Sequence, residues 1–480
     1  MLTLTDLFCG AGGSSTGAIT VPGVTVRMAA NHARHAIDTH QANHPDTDHD
    51  CADLSQIEPR RYPTTDILWA SPECTNHSIA KGRRRGHGEH TDGLFATSGV
   101  DEAAIRSRAT MHDVPRFAEV HRYRAVVVEN VVDAYWWGPK EAPGAVFDAW
   151  LRTLHAWGYE HRIVWMNSMH AAAYGPPAPQ SRDRMYVVLW RKGERMPNFD
   201  KWTRPQADCP THGRVRAIQG WKQTKMCSPT RPWGRYGTRA QYLWRCPNVE
   251  CRNQVVEPVV RPAAEVIDWT LPAPAIGERT GSDALAADTM RRIRAGFTAF
   301  AEPLSVPVEG RDGKKAAPVT APLRTVTTRN ETGLALPPYV VELRGGGSSH
   351  RAITRPLATV TAGGNHHGIV TAPDLVVPYY GNGTARPATR PLPTVTTVER
   401  HGALYGGTVA SLDECRFRML EPHEYAAAMA FPDTYRLIAT SKRTKVLMLG
   451  NAVTPPAARD LIAMVTEAIT GEELPLAHGQ

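Results

Sequence analysis

Short apolar runs alternate with helix-length stretches through the first 195 residues, and this alternation limits the possible folds more than any other feature of the chain. Leu2-Thr3-Leu4, Thr25 to Ala30, Asp66 to Ala70, Arg124 to Val128 and Met185 to Trp190 read as strands. Helical stretches such as His35 to Asn43 and Ala145 to Trp157 lie between them. Parallel strands need crossovers of helix length, so this order predicts an α/β fold with a mostly parallel sheet covered on both faces. Ligands of such sheets bind at the carboxyl ends of the strands.

Beyond residue 195 the pattern changes. Residues 196–262 are rich in Pro, Arg, Trp and Cys, with little periodicity. Residues 263–408 repeat themselves: Pro322 to Thr328 (PLRTVTT) recurs as Pro356 to Ala362 (PLATVTA) and as Pro391 to Thr397 (PLPTVTT), at steps of 34 and 35 residues. Each copy combines a β-branched run with Gly- or His-containing loops such as Gly345 to Gly347 and Gly363 to His367, which predicts a β-rich unit repeated in tandem. Residues 409–480 return to helix, from Pro422 to Met429 and again from Ala457. The expected organisation is an α/β domain (1–195), an insertion (196–262), a region of tandem β repeats (263–408) and a segment that rejoins the first domain (409–480).

With 480 residues the chain can bury a sizeable core, and its formal charge of +8 favours a polyanionic partner over an acidic or neutral one. No apolar run approaches the ~18 residues of a membrane span, and no basic start followed by an apolar stretch marks a secretory signal. Eight cysteines are too sparse for a disulfide framework. These features lead us to expect a cytoplasmic protein without membrane association.

Four stretches carry chemistry. The turn Asp6-Leu7-Phe8-Cys9-Gly10-Ala11-Gly12-Gly13 follows the first strand, where glycines admit a close ligand and the next helix start offers positive potential. Its bland counterpart is a plain glycine turn, and the second strand ends in Asn31-His32 without the acid of a dinucleotide fingerprint. Cys74 lies just past the third strand in Ser71-Pro72-Glu73-Cys74, before a basic loop with Lys81, Arg83, Arg84 and Arg85. A thiol there is either a nucleophile or a small buried residue. Glu129-Asn130-Val131 ends the next strand, placing a carboxylate for acid chemistry or a helix cap. Arg182 and Arg184, in Gln180-Ser181-Arg182-Asp183-Arg184, are two residues apart, as two guanidinium forks on one side of a strand require.

In this order the stretches resemble the blocks of the cytosine-C5 DNA methyltransferases of bacterial and phage type, with the late Gly450-Asn451-Ala452-Val453-Thr454-Pro455 as a further block. Arg418 to Glu424 and Ala430 to Asp433 resemble that family's penultimate block, so the likeness spans residues 4 to 461. The resemblance implies a Rossmann-like domain that binds S-adenosylmethionine, with double-stranded DNA as substrate. It assigns Cys74 as the thiolate that adds to carbon 6 of a flipped-out cytosine. Glu129 would hold or protonate ring nitrogen 3, and Arg182 and Arg184 would orient the base. Phe8, Gly10 and Gly12 would line the cofactor, Asp53 would contact adenine, and Asn451 with Val453 would close the pocket. Such enzymes protect DNA from restriction or mark it, so a cognate restriction endonuclease would be a partner; we expect a monomer. Rival readings are methylation of RNA cytosine, a variant pyrimidine modification, and a non-catalytic DNA-binding protein that keeps the fold. The chain departs from the family at His32, where an acid usually holds the ribose, at Glu73, where proline usually precedes the thiol, and at His77, which replaces a large apolar residue.

Residues 196–262 hold a second constellation, Cys209-Pro210-Thr211-His212-Gly213 and Cys246-Pro247-Asn248-Val249-Glu250-Cys251. The paired turns resemble the knuckles of a zinc ribbon, with Cys209, His212, Cys246 and Cys251 as structural zinc ligands and Cys227 as an alternative. The surrounding arginines and lysines alternate with Trp221, Trp233, Tyr236 and Trp244. This pattern suits either phosphate contact and base stacking or an aromatic mini-core under a charged rim. The family's target-recognition region corresponds to the long segment that contains both the ribbon and the repeats.

Overall fold

The computed structural model describes residues 1–73, 110–139, 141–222, 234–238, 240–261 and 415–477, together with shorter stretches between 263 and 404. Two compact units result, one from residues 1–261, 358–364 and 422–480 and the other from 262–357 with 365–421.

The first unit is built on a seven-stranded sheet. Its strands are β1 (Leu2–Leu7), β2 (Val24–Ala30), β3 (Asp48–Asp50), β4 (Ile67–Ala70), β5 (Ala125–Asn130), β6 (Tyr159–Asn167) and β7 (Asp183–Arg191). The spatial order is β3-β2-β1-β4-β5-β7-β6. Strands β1 to β5 pair in parallel, as the strand and helix alternation predicts, while β7 runs antiparallel between β5 and β6. The reversal has a simple cause: no helix of crossover length lies between β6 and β7, so the chain turns back beside the strand it has just left.

Burial follows the period-two rule of a sheet covered on both sides. On β5, Val126 and Val128 face a cluster containing Phe117 of α3 (Asp113–His121) and Phe147, Trp150 and Leu154 of α4 (Ala145–Ala156). Ala125 and Val127 face the opposite cluster, with Ala18 of α1 (Gly13–Ala18) and Leu461, Ile462 and Val465 of α6 (Pro455–Thr470). Between them lie α2 (Arg34–Asn43) in sequence near the amino terminus and α5 (Lys442–Asn451) near the carboxyl terminus. The last helix therefore completes a core begun by the first strand.

That closure depends on two glycines. A Cβ on Gly13 would lie 1.9 Å from the Val453 carbonyl oxygen, and one on Gly17 would lie 2.3 Å from that of Pro455. Loop 171–176 is fastened to the same helix by a buried pair, Arg459 Nε to Asp460 Oδ1 at 2.9 Å. Arg459 also donates to the carbonyls of Ala171, Gly175 and Pro176, and Asp460 accepts the backbone N–H groups of Ala173 and Tyr174.

The second unit repeats one motif. Central strands Leu304–Pro307, Tyr339–Glu342 and Leu375–Pro378 start 35 and 36 residues apart. Each pairs antiparallel with a later strand, Leu304 opposite Ala335, Tyr339 opposite Val370 and Leu375 opposite Leu404. A short third strand flanks each centre, at Ala317–Pro318, His350–Ala352 and Arg386–Pro387. The repeat copies Pro322 to Thr328 and Pro391 to Thr397 lie outside the described residues, as do the loops Gly345 to Gly347 and Gly363 to His366.

Replacing Gly13 with alanine should destabilise the protein by ~1–3 kcal/mol, the usual cost of overpacking. Urea unfolding measures this; a loss below ~0.5 kcal/mol, within the range of an uneventful surface change, would show that the Val453 segment yields freely.

Candidate functional site at the carboxyl edge of the sheet

Parallel β1 to β5 bring the sequence-derived candidates to one edge of the sheet. The first is the turn after β1. Phe8 and Gly10 adopt left-handed φ values of 60° and 53°, and Gly12 has φ 79°. A left-handed phenylalanine costs about 1–2 kcal/mol, so the turn is held against local preference. A Cβ on Gly10 would meet nothing closer than the Phe8 carbonyl oxygen at 3.9 Å, which leaves room beside the turn. The helix expected after it is only the six residues of α1, and it is wholly buried.

A chain of hydrogen bonds supports the turn from below. Ser14 and Ser15 both donate to Asp6 Oδ2 at 2.6 Å. Because the Ser15 proton goes to Asp6, Ser15 Oγ accepts from His40 Nε2 at 2.9 Å; His40 Nδ1 then accepts from His49 Nε2 at 2.8 Å. His44 Nε2 meets Thr16 Oγ1 at 3.2 Å, and the Tyr435 hydroxyl donates to the Ala11 carbonyl. Burial pushes Asp6 up to about 6, drives His44 down to about 4 and holds His40 well below the ordinary imidazole range. Sequence reasoning missed this relay, although His40, His44 and His49 recur at helix and strand spacing.

Asp53 follows β3 and is exposed; its Oδ1 accepts from Ser55 N at 3.1 Å and Ser55 Oγ at 2.8 Å. His32 follows β2, and its Nδ1 lies 3.7 Å from Glu73 Oε1 beyond β4. Since β1 lies between β2 and β4, the two departures from the family pattern meet across the carboxyl end of the glycine-turn strand. The carboxylate beside the thiol position thus has a partner.

Cys74 lies outside the described residues, as do Lys81, Arg83, Arg84, Arg85 and His77. The approach to Cys74 is nevertheless defined. Ala70 at the end of β4 pairs with Val128, one residue before Glu129. Asn130 Nδ2 donates to the Pro72 carbonyl at 3.3 Å, and the Glu73 N–H donates to Thr110 Oγ1 at 3.1 Å. Asn130, in the strand-end stretch with Glu129, thereby ties the two strand tips together.

Glu129 and Arg184 form a buried ion pair, Nε to Oε1 at 2.7 Å, with side chains 9% and 11% exposed. Arg182 goes elsewhere. Its Nη1 donates to the Val360 carbonyl at 3.1 Å, and its Nη2 to those of Gly450 and Ala452 at 3.1 and 2.9 Å. The two-residue spacing fails because strand structure is interrupted at residue 182, between Gln180–Ser181 and β7. Asn167 clamps this break: its Oδ1 accepts from Arg182 N at 2.9 Å and its Nδ2 donates to Asp183 Oδ1 at 2.9 Å. Asn451 is exposed at the end of α5, whereas Val453 is buried in the core with its carbonyl against Gly13.

An adenosyl sulfonium fits these residues. The room at Gly10, the carboxylate of Asp53 and the paired His32 and Glu73 all lie at the ends of β1 to β4. The donor set offers shape beside the turn and negative charge for ribose hydroxyls or a cationic centre.

The relay has a pH consequence. Groups with depressed native pKa values, here His40 and His44, contribute stability above the unfolded imidazole value near 6.5 that is lost as pH falls toward about 4. Asp6, raised to about 6, acts oppositely and gains on acidification between about 6 and 4. Because His44 contributes to the loss on acidification, the change in melting temperature between pH 6.5 and 4 should be less unfavourable in His44→Gln than in the parent protein. Identical profiles for the two proteins would contradict this assignment.

Comparison with known proteins places the site in context. Residues 2–231 match the family model of the C-5 cytosine-specific DNA methylases. The Type II methyltransferase M.AgeI of Thalassovita gelatinovora is 27% identical over 201 residues, covering 40% of each chain. M.SsoII of Shigella sonnei is 26% identical over 200 residues, 42% of this chain and 45% of the relative. The match thus spans less than half the length of these relatives. Among solved structures, a DNMT2 mutant of Spodoptera frugiperda aligns with a TM-score of 0.47 at 14% identity, covering 97% of this chain and 100% of that one. The Dnmt2 methyltransferase of S. pombe aligns at 0.47 and 10% identity, covering 98% and 100%. The glycine turn, the strand-tip Glu129 and the buried Arg184 all lie within residues 2–231, the segment that is similar to the C-5 cytosine-specific DNA methylases.

Proposed function

We propose that this protein methylates carbon 5 of cytosine within a specific sequence of duplex DNA. The observation that carries the reading is the buried Glu129 and Arg184 pair beside the strand that leads to Cys74. Carbon 5 of cytosine is a poor nucleophile. A thiolate bonded to carbon 6 makes it electron-rich, and we assign that bond to Cys74. Glu129 shares a proton with ring nitrogen 3, which draws electrons from carbon 6, while Arg184 fixes the position of the carboxyl group. Bound S-adenosylmethionine supplies an electrophilic methyl group. Loss of the carbon-5 proton and cleavage of the sulfur to carbon-6 bond then free Cys74. Inside a duplex these ring atoms are inaccessible, so the cytosine must leave the stack.

Phe8, Gly10, Gly12 and Asp53 are the proposed cofactor residues, with Asn451 and Val453 at the carboxyl-terminal side. Arg182 supports the site indirectly, by fixing the carbonyls of Gly450 and Ala452. His32 and Glu73 take over, as a pair, the place of the ribose acid. Protection of DNA in a restriction-modification setting suits the Type II names of the curated relatives.

Nucleoside analysis of DNA from cells expressing the protein tests the reaction. We expect 5-methylcytosine, absent with Cys74→Ser and reduced ~10²–10⁴-fold in initial rate with Glu129→Gln. A cytosine carrying any other group would redirect the reading to a variant modification, and unmodified DNA would sink it.

The His32 and Glu73 pair is testable separately by calorimetric binding of S-adenosylmethionine. Glu73→Gln and His32→Gln should each weaken binding, with a coupling of about 0.2–1 kcal/mol, as for an exposed ion pair. Strictly additive losses would show that the two side chains act independently.

A further inference from the structure

A second cluster lies away from the carboxyl-edge site. Cys209, His212, Cys246 and Cys251 bring one ligand atom each to within 4.8 Å of one another. His212 Nδ1 lies 3.5 Å from Cys209 Sγ and 3.5 Å from Cys246 Sγ. A tetrahedral zinc with bonds of ~2.3 Å to sulfur and ~2.0–2.1 Å to nitrogen separates its sulfur and nitrogen ligands by about 3.6 Å. The distances therefore suit an ion at the centre.

The surroundings fit metal ligation in detail. His212 Nε2 faces Glu250 Oε2 at 3.3 Å, which places the ring proton on Nε2 and leaves the Nδ1 lone pair toward the thiols. Gln254 Nε2 donates to Cys209 Sγ at 3.0 Å, as a thiolate requires. Both turns close with left-handed residues, Gly213 at φ 66° after the first and Arg252 and Asn253 at 55° and 49° after the second. Left-handed φ at two consecutive non-glycine residues is unfavourable, and a metal bond to Cys251 would offset part of that cost.

We propose that these four residues bind one structural zinc ion, and that the ion positions Arg235 and Tyr236 against the catalytic edge of the sheet. The path is continuous. Cys209 and Cys246 are buried in the same apolar cluster as Trp244 and Tyr242, and that cluster reaches Val128 and Val187 of the main sheet. Strand Ile218–Trp221 pairs with Tyr242–Arg245, whose last residue precedes the ligand Cys246. Trp244 Nε1 donates to His170 Nδ1 at 3.0 Å, and the His170 ring meets Tyr236 edge-on with centroids 4.5 Å apart. The Tyr236 N–H donates to Asp183 Oδ1 at 3.2 Å, and Arg235 Nη2 reaches Asp133 Oδ2 at 3.2 Å. Asp183 lies between Arg182 and Arg184, so the metal-held segment ends on the residue next to the Glu129 partner.

Of the aromatic residues interleaved with the basic ones, Trp244 is buried, and Trp221 and Tyr236 are half-buried against the same apolar cluster. Trp233 and the alternative ligand Cys227 lie outside the described residues.

The test uses the full chain, purified without a histidine tag. Elemental analysis should find one zinc per chain, lost when Cys246 and Cys251 are both serine. Cobalt substitution should give the intense visible bands of a tetrahedral thiolate site, and these should shift in His212→Cys, which keeps four ligands and preserves the fold. No stoichiometric zinc after refolding with the metal would overturn the site. So would full retention of zinc in the double serine variant. For positioning, hydrogen exchange with and without a strong chelator should show loss of protection at Arg235 and Tyr236, while β5 stays protected. Unchanged exchange there after complete metal removal would overturn the positioning role. None of these readouts depends on methylation.

Discussion

A charge pair kept almost dry fixes the catalytic edge of the sheet. Glu129 and Arg184 are joined at 2.7 Å where β5 and β7 run antiparallel, and neither has much access to water. Removing one partner of a buried pair typically costs about 3–5 kcal/mol, because the survivor is left desolvated and unpaired. A carboxylate fixed in this way cannot wander, and a fixed carboxylate is what selective contact with a heterocycle needs. Asn130 and the Pro72 carbonyl extend the same rigidity to the chain that enters Cys74.

Several backbone devices hold that edge from the far end of the sequence. Gly13 admits the Val453 carbonyl, Arg182 binds the carbonyls of Gly450 and Ala452, and Arg459 with Asp460 fastens loop 171–176. The carboxyl-terminal segment is therefore part of the sheet domain.

Much of this was legible in the residues. Period-two burial on β5 follows from Ala125 to Val128, and the glycine turn announces itself after Leu7. The two cysteine turns pointed to one cluster, and their ligand atoms do converge. Other features were hidden for physical reasons. Arg182 and Arg184 looked equivalent, yet a break in the strand sends one into backbone carbonyls and the other to Glu129. The pairing of His32 with Glu73 depends on strand order, which no local pattern encodes. The strand Tyr159–Asn167 escaped notice because its exposed half alternates polar residues, Glu160 and Arg162, with half-buried ones. Asn167 and Asp183 gave no signal because their work is to hold other parts of the site.

The central claim is that a thiol beside this carboxylate adds to cytosine, and covalent trapping tests it most directly. DNA in which cytosine is replaced by 5-fluorocytosine cannot lose a proton from carbon 5, so a thiol that has added and seen methyl transfer stays attached. The account predicts a denaturation-resistant complex that requires S-adenosylmethionine and disappears in Cys74→Ser. A protein that methylates or binds the unsubstituted sequence yet yields no such complex would contradict it.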